Sequence, residues 1–194
     1  MKSLQRQEKE KKDLKQTILR YKGKRISLFS MLFEDDNGSL FSSEIVKHPG
    51  AVALLPINEN GDILLIRQWR RAISEILLEI PAGTLEPLEI PVDCATRELQ
   101  EEVGLKPKTL IPLGGFYTSP GFCNEYIHLF LAKNLIINPL NAEDSDGIDV
   151  LTISLEEALS WAYEGKICDS KTLSALCLYQ LWLSHSKRNL KCAP

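Results

Sequence analysis

The sequence predicts an α/β fold: an α/β/α sandwich around a mixed β-sheet, with an antiparallel β element before it. Short apolar runs bounded by turn residues recur along the chain, and three stretches with helical periodicity are mixed among them. The 194 residues are 44% hydrophobic and 25% charged, which is typical of a globular protein with a real core. We expect a basic tail at residues 1–16, the β element at 17–50 and the α/β domain at 51–194.

Composition and charge argue against several classes of protein. No run of about twenty apolar residues is present, so no membrane span is expected. The basic start lacks the apolar stretch of a secretory signal, and a net charge of −3 gives no electrostatic case for nucleic acid. The five scattered cysteines form no CxxC pair, which predicts free thiols in a reducing compartment, with the cytoplasm as the expected location.

Turn residues divide the first half of the chain into predicted strands. We expect strands at 17–46, 51–57, 63–69 and 76–80. The first of these ranges contains a turn at residues 35–38. A second turn at 58–62 predicts that the strands on either side of it pair as a hairpin.

Capping residues mark the first predicted helix, which follows these strands. Asp93 is the expected N-cap, because its side chain can accept a hydrogen bond from the first turn. Gly104 stands where a C-cap is expected. Strands are then predicted at 109–116, 125–132 and 148–153.

Two more helices are predicted in the last third of the chain. Ser154 and Glu157 form a capping box at the start of a helix that runs to residue 163. The last helix begins at Asp169 or Ser170 and continues through residue 182 with apolar residues at helical spacing.

Three carboxylates crowd one short segment, because Glu98, Glu101 and Glu102 fall within five residues. On a helix, positions three and four apart share a face, so these charges would repel one another. A hard divalent cation such as Mg²⁺ would remove that penalty, since it prefers oxygen ligands. A solvated acidic face is the alternative interpretation of the same residues.

The spacing around the carboxylates distinguishes these interpretations. Five residues separate Gly83 from Glu89, and seven separate Glu89 from Arg97, which opens the run RELQEEVGL. This order matches every specified position of the Nudix box, GX5EX7REUXEEXGU, where U is aliphatic. A chance match in a chain of this length has a probability of roughly one in ten million. The sequence therefore resembles a Nudix hydrolase.

Segments outside the box resemble the ADP-ribose pyrophosphatase branch of that family. They are HPGAV at 48–52, IRQWR at 66–70, LLEIPAG at 77–83, SPGF at 119–122 and WAYEGKICDSKT at 161–172. Pro120 also stands sixteen residues beyond Gly104, a spacing typical of that branch. The resemblance extends over about residues 17–185, and it implies the same α/β/α layering.

The resemblance implies an activity and a cofactor. The reaction is hydrolysis of the diphosphate bond of ADP-ribose, or a related ADP-sugar, to AMP and ribose 5-phosphate. The cofactor is Mg²⁺, which Mn²⁺ can replace, with two or more ions in each site. GDP-mannose or another nucleotide sugar is the alternative substrate, and a non-catalytic ADP-ribose-binding sensor is the alternative of another class. No nucleic acid or membrane partner is expected.

The family pattern also implies the metal ligands. Carried over to this chain, they are the backbone carbonyl of Ala82 and the carboxylates of Glu98, Glu101, Glu102 and Asp146. Arg97 and Glu89 would form a salt bridge that supports the site from behind. Gly83 and Gly104 would permit backbone bends at its two ends.

A catalytic base or water-positioning group is expected in the acidic loop before the last predicted strand. In the branch it is typically one of a pair of Glu, and counting back from Ile148 places Asp146 and Asp144 at those positions. Each is one methylene shorter than Glu, so Glu143 could substitute. Glu101 is a further catalytic candidate. A solvated loop is the alternative.

Several residues are candidates for contacts with the substrate. Arg70 is expected to grip a phosphate, and Arg67 is a weaker candidate that could simply face solvent. Glu79 is expected to bond a ribose hydroxyl or to orient metal-bound water. Pro120 and Phe122 of the SPGF segment are the remaining candidates.

The N-terminal strands carry aromatic side chains and a predicted role in assembly. Adenine stacking or core packing are the two interpretations of Phe29, Phe33, Phe41 and Trp69. In the branch that the sequence resembles, N-terminal strands commonly exchange between subunits. Residues 17–46 resemble such an element, so the resemblance implies a homodimer.

Overall fold

The computed structural model describes residues 2–141 and 147–191 of the chain. The helices of this part are α1 (Lys2–Asp13), α2 (Pro91–Glu102), α3 (Leu155–Tyr163) and α4 (Ser170–Lys191). The strands are β1 (Leu14–Lys22), β2 (Ser27–Glu34), β3 (Leu40–Lys47), β4 (Ala51–Pro56), β5 (Ile63–Arg70), β6 (Glu75–Glu79), β7 (Ala82–Thr84), β8 (Leu105–Tyr117), β9 (Tyr126–Ile137) and β10 (Asp149–Ile153).

The chain divides into two compact units. The first comprises Met1–Gly50 and Tyr117–Glu125, and the second comprises Ala51–Phe116 and Tyr126–Pro194. The first unit contains the antiparallel sheet β1-β2-β3, as predicted for this region. Its predicted turn is present: Gly38 has φ of +79° and donates its N–H to the carbonyl of Asp35. The basic N-terminal residues form α1.

The second unit holds two sheets. One has the order β7-β4-β9-β8 and is mixed, because β4 runs parallel to β9 and antiparallel to β7. The other has the order β10-β5-β6 and is antiparallel. The prediction that β4 and β5 form a hairpin is therefore wrong. Only an isolated bridge joins Ile57 to Ile63, because β4 is buried on both faces and takes its ladder partners from β7 and β9.

Alternate residues of β4 build the two hydrophobic cores of the second unit. Ala53 and Leu55 face a cluster that includes residues of α3 and α4, whereas Val52 and Leu54 face a cluster that includes α2. Since successive side chains of a strand point to opposite faces, helices cover both sides of this sheet. The predicted α/β/α layering is confirmed.

The ends of α2 agree only partly with the prediction. The helix begins at Pro91 with Ile90 as N-cap and without a side-chain capping bond, so the prediction of Asp93 as N-cap is wrong. Proline suits the first helical position because its missing N–H has no partner there, and Asp93 lies instead in the first turn. At the other end Gly104 has φ of +75°, as expected of the residue that terminates a helix.

The last two helices begin as predicted. The Ser154 hydroxyl accepts a hydrogen bond from the Glu157 N–H at 3.1 Å, which caps α3. Asp169 caps α4 in the same way through the Thr172 N–H at 3.0 Å. Within residues 2–141 and 147–191, no helix combines the length and apolar character needed to cross a membrane.

Candidate active site

Helix α2 presents a pair of carboxylates towards strand β7, beside its core contacts. Its buried residues Cys94, Ala95 and Leu99 pack into the cluster beneath the mixed sheet. Glu98 and Glu102, four positions apart, share a face of the helix that adjoins these core residues. Glu98 is only 9% exposed. Glutamate is rarely buried to this extent unless its charge is paired.

The Glu98 carboxylate lies against the backbone of β7. A Cβ built on Gly83 would overlap its carboxylate carbon and both carboxylate oxygens. Glycine is required at this position because only a residue without a side chain leaves room for the carboxylate. The glycine at the start of the box therefore has a specific packing reason in this protein.

Glu102 is bound to the neighbouring residue of the same strand. Its Oε2 accepts the Ala82 N–H at 2.9 Å. Burial raises the pKa of the Glu102 carboxyl to about 8, and the charge of Glu98 adds to the shift, while the Ala82 hydrogen bond opposes it. Burial likewise raises the pKa of Glu98 against the opposing effect of Arg97.

This carboxylate pair fits a hard divalent cation. Both groups offer oxygen ligands whose charged forms are disfavoured by burial and by neighbouring carboxylates, and a bound cation would offset both effects. Among the described residues, no three His, Cys, Asp or Glu side chains already form a metal-binding group. Mg²⁺ is commonly held by one or two carboxylates together with substrate phosphates, so two suffice for this ion.

Arg97 donates hydrogen bonds to three carboxylates of the box. It donates to Glu89 through Nε at 2.8 Å and through Nη2 at 2.9 Å, so the expected salt bridge is present. Its Nη1 also donates to Glu98 at 2.7 Å and to Glu101 at 3.0 Å. The hydrogen bonds from Arg97 outweigh burial and lower the pKa of Glu89 to about 2. Arg97 thus anchors the loop before α2 and restrains two helix carboxylates.

A second ionic network lies at the end of β6. Arg70 donates to both oxygens of the Glu79 carboxylate, through Nε at 2.6 Å and through Nη2. Lys171 of α4 donates to the same carboxylate and pairs with Asp169 at 2.9 Å. Burial acts to raise the pKa of Glu79, but the hydrogen bonds and charges of Arg70 and Lys171 outweigh it and lower the pKa.

The two networks are electrostatically linked within the second unit. The charges of Arg70 and Lys171 both oppose the rise in the pKa of Glu102. Arg70 and Glu79, predicted separately as substrate contacts, in fact bind each other. No role for Lys171 is predicted from the sequence. The spacing of Asp169 and Thr172 indicates only that a helix begins there, with Lys171 in its first turn.

Other predicted site residues are placed differently. Arg67 is exposed, and it projects from the face of β5 opposite to Arg70, because the two are three positions apart on a strand. Pro120 and Phe122 belong to the first unit, where the Phe122 carbonyl accepts the Val46 N–H at 2.7 Å. The predicted acidic-loop groups Glu143, Asp144 and Asp146 lie outside the described residues.

The aromatic candidates are not part of the hydrophobic cores. Phe33 and Phe41 occupy opposed positions on β2 and β3 and stack with ring centroids 5.3 Å apart. Phe41 is 49% exposed and Trp69 is 53% exposed. Phe29 is partly buried on β2. Core packing is therefore the wrong interpretation for Phe41 and Trp69, since about half of each residue remains accessible.

The geometry can serve a reaction at an anionic diphosphate. Carboxylates on α2 offer oxygen ligands, and Arg70 offers a guanidinium whose side chain is 37% exposed. Cations neutralise a diphosphate, and arginine suits phosphate oxygens because its planar donors match them.

Comparison with known proteins gives a family and several relatives. A family model described as NUDIX domain matches residues 46–175. The ADP-ribose pyrophosphatase of Bacillus subtilis (strain 168) is 39% identical over 163 residues, which cover 83% of this chain and 88% of that protein. The methanol dehydrogenase activator of Bacillus methanolicus is 41% identical over 147 residues, covering 75% and 80%.

A nucleotide-sugar relative and a solved structure complete the comparison. The GDP-mannose pyrophosphatase of Yersinia enterocolitica serotype O:8 is 32% identical over 160 residues, which cover 76% of this chain and 83% of that protein. A crystal structure of an ADP compounds hydrolase superposes with a TM-score of 0.76 at 21% identity, covering 90% of this chain and 98% of that one. At that identity the superposition shows the fold alone.

Proposed function

The chain belongs to the Nudix family, and from that premise we propose that it hydrolyses the diphosphate bond of ADP-ribose or a related ADP-sugar. The products are AMP and ribose 5-phosphate. The observation that carries the proposal is the pairing of Glu98 and Glu102 against the Ala82–Gly83 backbone, in a chain similar over most of its length to an ADP-ribose pyrophosphatase.

Nudix hydrolases generally use divalent metal ions, and we propose Mg²⁺, with Mn²⁺ as a substitute, at two or more positions. The groups that would hold them are the Ala82 carbonyl and the carboxylates of Glu98, Glu101, Glu102 and Asp146. When bound, such ions neutralise a diphosphate and acidify a coordinated water. The raised pKa values of Glu98 and Glu102 support this assignment, because they mark carboxylates that lack sufficient positive charge.

The other residues of the site are assigned by their contacts. Arg70 would bind a substrate phosphate while Glu79 holds its guanidinium, rather than Glu79 contacting the ribose directly. Arg97 and Glu89 support the loop and the helix on which the carboxylates stand. Asp146 or Asp144 remains the proposed base, with Glu101 as the alternative.

The test is a substrate panel assayed with Mg²⁺. ADP-ribose and other ADP-sugars should be hydrolysed at a higher kcat/KM than GDP-mannose, and chelation of the metal should abolish turnover. Running the preferred substrate in ¹⁸O-labelled water then identifies the phosphorus attacked, from the product that carries the label. Preference for GDP-mannose would support the alternative substrate. Tight binding of ADP-ribose without hydrolysis of any panel member would support a sensor instead.

We also propose a homodimer formed through the first unit, in the cytoplasm. The β1-β2-β3 sheet exposes large apolar side chains, including Leu19 at 50%, Tyr21 at 60% and Leu40 at 61%. Such exposure supports burial against a second subunit. The cysteines that the structure describes are free thiols, which supports a reducing compartment. Light scattering of the purified protein would test the dimer.

A further inference from the structure

The side chain of Glu79 is an internal ion with two cationic partners from different elements. It is 1% exposed, and it binds Arg70 of β5 and Lys171 of α4. Lys171 is itself only 10% exposed and pairs with Asp169. A buried carboxylate needs partners to remain charged, and removing one of two leaves it poorly compensated. Lys171 therefore determines how much of the negative charge of Glu79 is left for Arg70 to neutralise.

Arg70 connects this buried cluster to the accessible side of the site. Glu79 engages its Nε and Nη2, and no acceptor for Nη1 is found among the described residues. The Arg70 side chain is 37% exposed, whereas the Glu79 side chain is 1% exposed. The guanidinium thus has one edge on Glu79 and retains donor capacity on the other. With Lys171 sharing the Glu79 charge, part of the Arg70 charge remains available to an anion.

The start of α4 also holds the backbone just before the carboxylate-binding strand. The Thr172 hydroxyl accepts the Ile80 N–H at 2.9 Å and donates to Asp169 at 2.6 Å. This contact lies beside Lys171 but reaches the backbone, whereas Lys171 reaches the side chains of Glu79 and Asp169. Asp169 also accepts the Thr172 N–H at 3.0 Å, so two hydrogen bonds hold Thr172 in place without Lys171. We therefore expect the backbone contact, and with it the carboxylate pair, to remain when the Lys171 ammonium is lost.

We propose that Lys171 is a positioning residue for the substrate's diphosphate: through Glu79 it sets the orientation and the available charge of Arg70. The inference rests on the proposed hydrolase function and adds a residue to it. Lys171 has no direct contact with the substrate in this scheme. Its loss should weaken the binding of ground state and transition state alike, which raises KM with little change in kcat.

The experiment compares Lys171→Met with a matched control, Lys166→Met, an exposed lysine of the segment before α4. For Lys171→Met we expect KM for ADP-ribose to rise by roughly tenfold, a size typical of coupled charged neighbours. Its kcat should stay within about threefold of wild type. Mn²⁺ binding to the substrate-free protein should not weaken. Lys166→Met should match wild type throughout, and Lys171→Arg should restore most of the loss in KM.

A double substitution tests whether Lys171 acts through Glu79. Relative to Glu79→Gln, the variant Glu79→Gln/Lys171→Met should show no further rise in KM, because the charge that Lys171 shares is absent. This variant also removes a buried cation and anion together, so it decides the question if Lys171→Met alone does not fold. Additive effects of the two substitutions would overturn the inference.

The remaining outcomes separate the inference from the function on which it rests. Wild-type protein that hydrolyses ADP-sugars, together with an unchanged KM in Lys171→Met, overturns the inference alone. Weakened Mn²⁺ binding in Lys171→Met would also overturn it, because that result indicates general loosening of the site. Wild-type protein without activity on any panel member overturns the proposed function and the inference with it.

Discussion

The carboxylate of Glu98 lies against Gly83, in the space that the Cβ of any other residue would occupy. The next residue towards the N-terminus, Ala82, donates its N–H to Glu102 at 2.9 Å. One short strand thus receives both carboxylates of the α2 face. The relationship explains why a glycine and two glutamates must keep their spacing in the sequence, and it leads to the first prediction.

Gly83→Ala should displace the Glu98 carboxylate, because the added methyl group overlaps it. We expect kcat/KM to fall by about 100-fold and Mn²⁺ binding to weaken, since a small misplacement at a reacting site is costly. Isothermal titration with Mn²⁺ measures the binding. Gly61→Ala is the control: it meets no neighbouring atom but carries φ of +89°, so it should lower stability without weakening Mn²⁺ binding. Normal Mn²⁺ binding in Gly83→Ala would contradict the proposed role of Glu98.

Glu102→Gln should lower kcat by about 1,000-fold or more while the fold remains intact, because an amide is a poor substitute for a metal-binding carboxylate. The metal-free variant should be at least as stable as wild type at neutral pH, since a carboxyl with a pKa of about 8 is mostly protonated there. Steady-state kinetics and thermal unfolding measure the two effects. Glu156→Gln, an exposed site on α3, serves as control. Turnover close to wild type in Glu102→Gln would remove it from the metal site.

The stability of the metal-free protein should depend on pH through Glu102. Its pKa is raised from 4.5 to about 8, so its contribution to stability is fully present below about pH 4.5 and is lost as the pH rises through 8. Mg²⁺ should oppose that loss, which makes the metal-induced rise in Tm larger at about pH 8.5 than at about pH 5.5. Scanning calorimetry with and without Mg²⁺ checks this. An equal rise at both values would argue against Glu102 as a ligand.

Glu89→Gln should destabilise the protein by about 1–3 kcal/mol at neutral pH, because it removes the negative charge and one of the two oxygens that accept hydrogen bonds from Arg97. The pKa of Glu89 is lowered from 4.5 to about 2, so its contribution is present above about pH 4.5 and is lost as the pH falls through 2. In urea unfolding, the difference in free energy of unfolding between this variant and wild type should therefore become smaller towards about pH 3. The exposed Glu86→Gln is the control, and a difference that grows at low pH would contradict the assignment.

Asp146→Asn should lose more activity than Asp144→Asn if the position of the proposed base follows from counting back from the last strand. Loss of a general base typically lowers turnover by about 100- to 10,000-fold. The pH–rate profile of each variant should also lose its acidic limb where the base has been removed. If Asp144→Asn is the more damaging change, Asp144 becomes the base. If neither has an effect, Glu101 takes that place.

Features that depend on neighbouring residues were predictable from the sequence. Spacings within one helical turn predict the shared face of the α2 carboxylates. Single capping positions predict the start of α3 at Ser154 and the end of α2 at Gly104. The salt bridge of Arg97 to Glu89 followed from the family pattern. The prediction of Asp93 as N-cap is wrong because Pro91 competes for the same helix start and needs no capping bond at its nitrogen.

Pairing between distant segments was decided by the tertiary structure. β4 and β5 adjoin in sequence yet enter different sheets, because each gains more by burial between other strands than by a hairpin. Arg70 and Glu79 were both predicted as site residues, but their mutual contact depends on the β5–β6 pairing. Lys171 lies 92 residues beyond Glu79, and only the packing of α4 against the sheet brings its ammonium to that carboxylate. Local spacing thus determined the chemistry of the helix, whereas the charge balance around Arg70 arose only when remote elements were packed together.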